Sequence, residues 1–201
     1  MGKCPFLPCP ERGFFIGLNM TKDQFQLATG LPLAIAARWY EPVERAMFEF
    51  AIVSPARAAM FLATIGHESG GFVYTREIWG PTPAQKKYEG RQDLGNTEPG
   101  DGFRYRGRGL VQITGRFNYQ QVSDGLGVDF ISRPERLEEP ASAARASAWW
   151  WAKNGLNELA DKGDFLAVSR RVNVGNATST VVPNGMEDRQ RRYKLAIQHL
   201  G

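Results

Sequence analysis

Apolar residues recur at helical spacing along most of this chain. Ala58, Phe61, Leu62 and Ile65 stand at i, i+3, i+4 and i+7. Ser54 and Pro55 ahead of them supply an N-cap and a first-turn proline. The spacing predicts a helix that stops near Glu68, where Gly70 and Gly71 provide the left-handed residues that end helices. Upstream, Thr21-Lys22-Asp23-Gln24 reads as a capping box, opening a helix that ends near Gly30. A second helical pattern covers residues 32–40 and a third residues 42–50. Residues 72–109 are rich in Gly, Pro and polar side chains and predict a long irregular segment with room for a short hairpin. A short apolar element at 109–114 leads into a helix over 117–124. Further helices are predicted over 140–154 and 165–172. The last is capped by the run from Asn184 to Glu187, with Met186, Tyr193, Ile197 and Leu200 as its stripe. The expected fold class is mainly α, with irregular loops between helices forming a cleft and little or no β-sheet.

The chain has 201 residues, 42% of them apolar, enough for a single globular domain over 20–201. Residues 1–19 read as a leader or extension outside it. No run of about 18 apolar residues occurs, so stable membrane insertion is not expected. Pro5, Pro8, Pro10, Glu11 and Arg12 interrupt any signal-peptide core, which predicts synthesis in the cytoplasm. Cys4 and Cys9 are the only cysteines, and His67 and His199 the only histidines. That inventory lacks a zinc constellation, and no metal or cofactor is expected.

The net charge of +4 is unevenly placed. Residues 1–100 carry ten basic and ten acidic side chains, and 101–201 carry fifteen and eleven. A basic second half suits an anionic polymer, whether nucleic acid, cell wall or membrane surface, without choosing among them.

The candidate chemistry lies at the end of the helix that carries Ile65. Glu68 stands where that helix runs out, and Glu77 follows nine residues later. Two nearby carboxylates in different surroundings are the minimum equipment for cutting a glycosidic bond, one as acid and one as base or nucleophile. An inverting enzyme needs them roughly 6.5–9.5 Å apart, which nine residues of loop permit without forcing. Glu89 is a rival for the second carboxylate, the alternative being a surface partner for Lys86, Lys87 or Arg91. His67 has no nucleophile beside it and reads as an orienting or packing residue. The run Trp149-Trp150-Trp151 spans too wide an arc to share one helix face, so at least one ring belongs to the core. Arg104, Arg106, Arg108 and Arg116 form a basic cluster that either meets anionic polymer or pairs with Asp101 and other acids.

Several stretches resemble glycoside hydrolase family 19, the plant-type chitinase family, and within it the phage and prophage endolysins. They are residues 61–72 (FLATIGHESGGF), 77–81 (EIWGP), 94–107 (LGNTEPGDGFRYRG), 106–119 (RGRGLVQITGRFNY), 173–175 and 188–193. The resemblance covers about residues 20–201 and implies a lysozyme-like helical domain. It implies Glu68 as general acid and Glu77 as general base on water in an inverting reaction. Thr114 then helps hold that water, a structural hydroxyl being the competing reading. Gln112, Asn118 and Tyr119 match residues that bind sugar in the cleft. Asn173 and Arg189 match a supporting pair in which the arginine orients a cleft carboxylate. Shorter loops and missing cysteines depart from the plant pattern.

The resemblance therefore implies an endolysin acting on bacterial peptidoglycan, not on nucleic acid, and a monomer is expected because nothing in the sequence suggests an interface helix. It would cut the β-1,4 bond between N-acetylmuramic acid and N-acetylglucosamine, reaching the periplasm by holin-type release. The alternatives are a chitinase, a lytic transglycosylase using Glu68 alone, or a non-catalytic wall-binding protein.

Overall fold

The computed structural model describes residues 19–201. The expectations for the leader, Cys4 and Cys9 lie outside the described residues, apart from Asn19. Helix α1 (Lys22–Thr29) opens on the capping box: the Thr21 hydroxyl accepts from Gln24 N at 3.1 Å, and the Gln24 side chain accepts from Thr21 N at 2.9 Å. Gly30 closes it at φ 65°. Met20 is buried, and its carbonyl accepts the Tyr40 hydroxyl at 2.9 Å.

Helix α2 (Leu33–Glu49) runs straight through Pro42, where the sequence predicts two helices. An interior proline costs about 3 kcal/mol through a lost backbone bond and a clash. Ala36, Trp39, Val43, Ala46 and Met47 form one continuous buried seam across the break. Burial of large apolar side chains contributes about 1.5–3 kcal/mol each, which offsets the proline.

Helix α3 (Pro55–Glu68) is the axis of the domain. Ser54 accepts from Arg57 N at 3.3 Å, and every residue from Ala58 to Gly66 is buried. A helix apolar on all sides must be enclosed. The enclosing elements are α1, α7 (Pro140–Lys153), α8 (Leu156–Asp161), α9 (Phe165–Val174) and α10 (Met186–Leu200). The short α8 has no counterpart among the sequence expectations. It is pinned by Asn157, whose Oδ1 accepts Trp151 Nε1 at 2.9 Å while its Nδ2 donates to Phe50 O at 3.0 Å.

The irregular region holds two single-turn helices, α4 (Pro83–Lys86) and α5 (Asp101–Arg104), before α6 (Arg116–Leu126). The hairpin is reduced to two isolated bridges, Arg76 with Arg108 and Arg108 with Ile113. Among the described residues the architecture is helical, as the patterning predicts. No described helix is long and apolar enough to cross a membrane.

Candidate active site

The end of α3 is built by its own sequence. The buried Ser69 hydroxyl donates to Ile65 O at 2.6 Å and accepts from Phe72 N at 2.8 Å. Gly70, Gly71 and Phe72 all have positive φ, so the chain reverses immediately after Glu68. Phe72 is buried against Phe25 and Trp39, at 6.0 and 5.6 Å between ring centroids. That burial holds a left-handed conformation which a non-glycine residue resists.

Glu68 therefore stands at the negative end of the α3 dipole. The structure sets a buried cation against it. Arg189 Nη2 donates to Glu68 Oε1 at 2.5 Å, and the arginine side chain is 2% exposed. Arg189 Nε donates to Asn184 O at 3.0 Å, and Asn184 N donates to Asn173 Oδ1 at 3.0 Å. Asn173 on α9 thus fixes the loop that fixes Arg189 on α10, which fixes Glu68 on α3. One residue earlier on each helix, His67 Nδ1 lies 2.8 Å from Asp188 Oδ2. Partial burial works to raise the Asp188 carboxyl, but hydrogen bonds from Arg192, His67 and Arg191 hold it well below the usual range. This contact ties His67 on α3 to Asp188 on α10.

Glu77 is held by neutral donors. Its Oε1 accepts from Gln85 Nε2 at 3.0 Å and from the Tyr88 hydroxyl at 3.4 Å, and its Oε2 accepts from Gly107 N at 3.2 Å. Its own N–H donates to Gly107 O at 2.8 Å, while Gly109 N donates to Thr75 O at 2.9 Å. The two segments thus meet at the isolated bridge between Arg76 and Arg108.

Gly107 is the point where Glu77, Gln112 and Thr114 meet. A Cβ there would lie 2.7 Å from Gln112 Oε1 and 3.3 Å from Thr114 Oγ1. Gln112 sits at φ 55°, its Nε2 donating to Gly109 O at 2.9 Å. Thr114 Oγ1 donates to Gln112 O at 2.9 Å. Gln112 and Thr114 are both half-buried beside the glycine whose amide holds Glu77.

Asn118 on α6 is half-buried, donates to Thr114 O at 2.8 Å, and lines a cavity of about 150 Å³ with Ile113, Trp149 and Trp150. Trp151 is buried in the core and Trp149 nearly so, leaving Trp150 partly open to that cavity.

Tyr119 departs from expectation. It is fully buried, its hydroxyl donating to Arg106 O at 2.7 Å and accepting from Arg108 Nη1 at 2.9 Å. Burial pushes the hydroxyl far above its ordinary value. A side chain in that position braces the 106–108 segment and is closed off from sugar. Buried Arg189 likewise supports Glu68 from behind.

Glu89 is not a partner for lysines. Its two oxygens accept from Gly100 N at 2.6 Å and Gly102 N at 2.9 Å, tying down the start of α5. The basic cluster is largely spent inside the fold: Arg116 grips buried Asp101 at 2.5 and 2.8 Å, and Arg108 donates to Glu138 at 2.8 Å. Sequence reasoning missed Gln85, Tyr88 and Gly107 as the partners of Glu77. The signal for Gln85 was present, since Thr82-Pro83-Ala84-Gln85 has capping-box spacing and forms one. An aromatic group also adjoins it: Trp79 meets Tyr88 at 6.3 Å and Phe103 at 5.3 Å.

A helical domain of this build, carrying a carboxylate at the end of its central helix, has a lysozyme-like fold. The sequence pattern of the family described as chitinase class I matches residues 46–162. The chain belongs to glycoside hydrolase family 19 and hydrolyses glycosidic bonds in a polysaccharide. A family 19 domain-containing protein of Haemophilus influenzae is 31% identical over 186 residues, 79% of this chain and 87% of that protein. An endochitinase of Arabidopsis thaliana is 31% identical over 150 residues, 74% of this chain. The chain spans only half of that enzyme's length, 50%. The fold is similar to that of chitinase C from Streptomyces griseus, with TM-score 0.73, 24% identity and coverage of 94% of this chain and 96% of that one.

Proposed function

We propose that this hydrolase is a monomeric endolysin. It cleaves the β-1,4 bond between N-acetylmuramic acid and N-acetylglucosamine in peptidoglycan. Glu68 is the general acid and Glu77 the general base that activates water. The observation that carries the reading is the contrast between the two carboxylates. Arg189 occupies Glu68 Oε1, and no described residue bonds Oε2, which leaves that oxygen to deliver a proton to the leaving sugar. Three neutral donors grip Glu77, an arrangement that complements a carboxylate waiting for water. Gln112, Thr114 and Asn118 border the same segment and supply polar contacts to water and sugar. The net charge of +4 favours an anionic wall polymer over neutral chitin. In this reading the protein reaches the wall from the cytoplasm through a holin-type pore.

A chitinase is the second reading, supported by the likeness to plant endochitinases. The test is mass spectrometry of fragments released from purified peptidoglycan by wild type, Glu68→Gln and Glu77→Gln. Fragments with reducing-end muramic acid from wild type, and none from either variant, support the muramidase. Cleavage of chitin oligosaccharides alone moves the substrate to chitin. Anhydro-muramic products with Glu77→Gln still active mean a transglycosylase.

A further inference from the structure

We propose that Gln85 is a positioning residue that sets the carboxylate of Glu77 for catalysis. The inference rests on the reading of Glu77 as the base. Gln85 is 5% exposed, on a helix of one turn, and its side-chain amide is saturated. Oε1 accepts from Gly80 N at 3.1 Å and Thr82 N at 2.8 Å, while Nε2 donates to Ile78 O at 2.8 Å and Glu77 Oε1 at 3.0 Å. An amide has two donor hydrogens and one acceptor oxygen, and each is engaged. The network also fixes which end is which. A flipped amide would set its NH2 against two backbone N–H groups and its oxygen against a carbonyl and a carboxylate.

The consequence is mechanical. Glu77 follows a stretch with no regular structure, and a glutamate side chain has three rotatable bonds to lose. Gln85 fastens both the carboxylate and the backbone just after it to one buried point. Displacing a reacting group by about 1 Å costs on the order of 100-fold in rate. Tyr88 is the other titratable group bonded to Glu77. Burial, and then Glu77 itself, push its hydroxyl above the ordinary value, so it stays a neutral donor through the working pH range.

Gln85→Glu separates scaffold from positioning. It keeps an oxygen for Gly80 and Thr82 but replaces the donor with a second carboxylate about 3 Å from Glu77. Two carboxylates that close resist joint ionisation. The experiment measures kcat and KM against pH for wild type, Gln85→Glu, Gln85→Met and Glu77→Gln, on whichever of purified peptidoglycan or chitin oligosaccharide the wild type cleaves. Melting temperatures of all four are recorded. We expect Gln85→Glu to move the acidic limb of kcat up by about one pH unit or more. We expect Gln85→Met to lower kcat by about 10- to 100-fold with KM within about twofold of wild type. Wild-type kcat and an unmoved limb in both, with Glu77→Gln inactive, reduce Gln85 to a scaffold and overturn the proposal. Activity retained by Glu77→Gln overturns it differently, by removing the base that Gln85 was to hold.

Discussion

Arg189, buried in the first turns of α10, donates to Glu68 at the last residue of α3 across 2.5 Å. Lysine in its place keeps the charge but cannot serve both Glu68 and the Asn184 carbonyl from one planar group. Arg189→Lys is expected to lower kcat/KM about 100-fold. Steady-state kinetics on a soluble oligosaccharide checks this, and a loss under threefold would show that Glu68 needs no such support.

Gly107 gives a separable test of the Glu77 side of the site. A methyl group there meets Gln112 Oε1 at 2.7 Å. Gly107→Ala should push Gln112 aside and disturb the amide that holds Glu77, lowering kcat about 10-fold or more. Folding should survive, because a glutamine side chain can move. Circular dichroism beside the kinetics distinguishes the two effects.

Gly125 on α6 tests packing away from the carboxylates. A Cβ there would come 2.2 Å from the indole nitrogen of Trp149, a large ring that is itself buried. Gly125→Ala is expected to destabilise the fold by about 1–3 kcal/mol through overpacking. A denaturant titration reads this directly, and an unchanged midpoint would contradict the packing described.

Acid should weaken the domain through two carboxylates. Burial tends to raise Asp101, but the bonds from Arg116 and from backbone amides hold it below its ordinary 3.8. Asp188 is depressed further. Because the unfolded chain binds these protons at higher pH than the folded one, the stabilisation is complete above about pH 4. It disappears as pH falls through the depressed folded values. Melting temperature should therefore drop steadily below about pH 4, and Asp188→Asn should flatten that slope. A slope identical to wild type in Asp188→Asn would rule out its share.

Much of this arrangement is legible in the chain. Ser54, Pro55 and the spacing of Ala58, Phe61, Leu62 and Ile65 mark α3, because caps and periodicity are local properties. The resemblance also led to Asn173 and Arg189 as a supporting pair, which the structure links through Asn184. Pro42 misled, since local sequence cannot register a buried seam shared with α7. Tyr119 misled for a similar reason: its polar tip reads as sugar-binding until the fold encloses it against Arg106 and Arg108.

The sequence by itself determined most of the long helices, the caps at Thr21 and Ser54, and the glycines that end α3 after Glu68, all of which depend on neighbours within a few residues. Only the tertiary structure decided what each carboxylate faces. The partner of Glu68 lies 121 residues away and the amide on Glu77 lies 30 residues away. Hydrogen bonds of that span exist only once α3, α9, α10 and the loop segments have packed, and no local pattern encodes them.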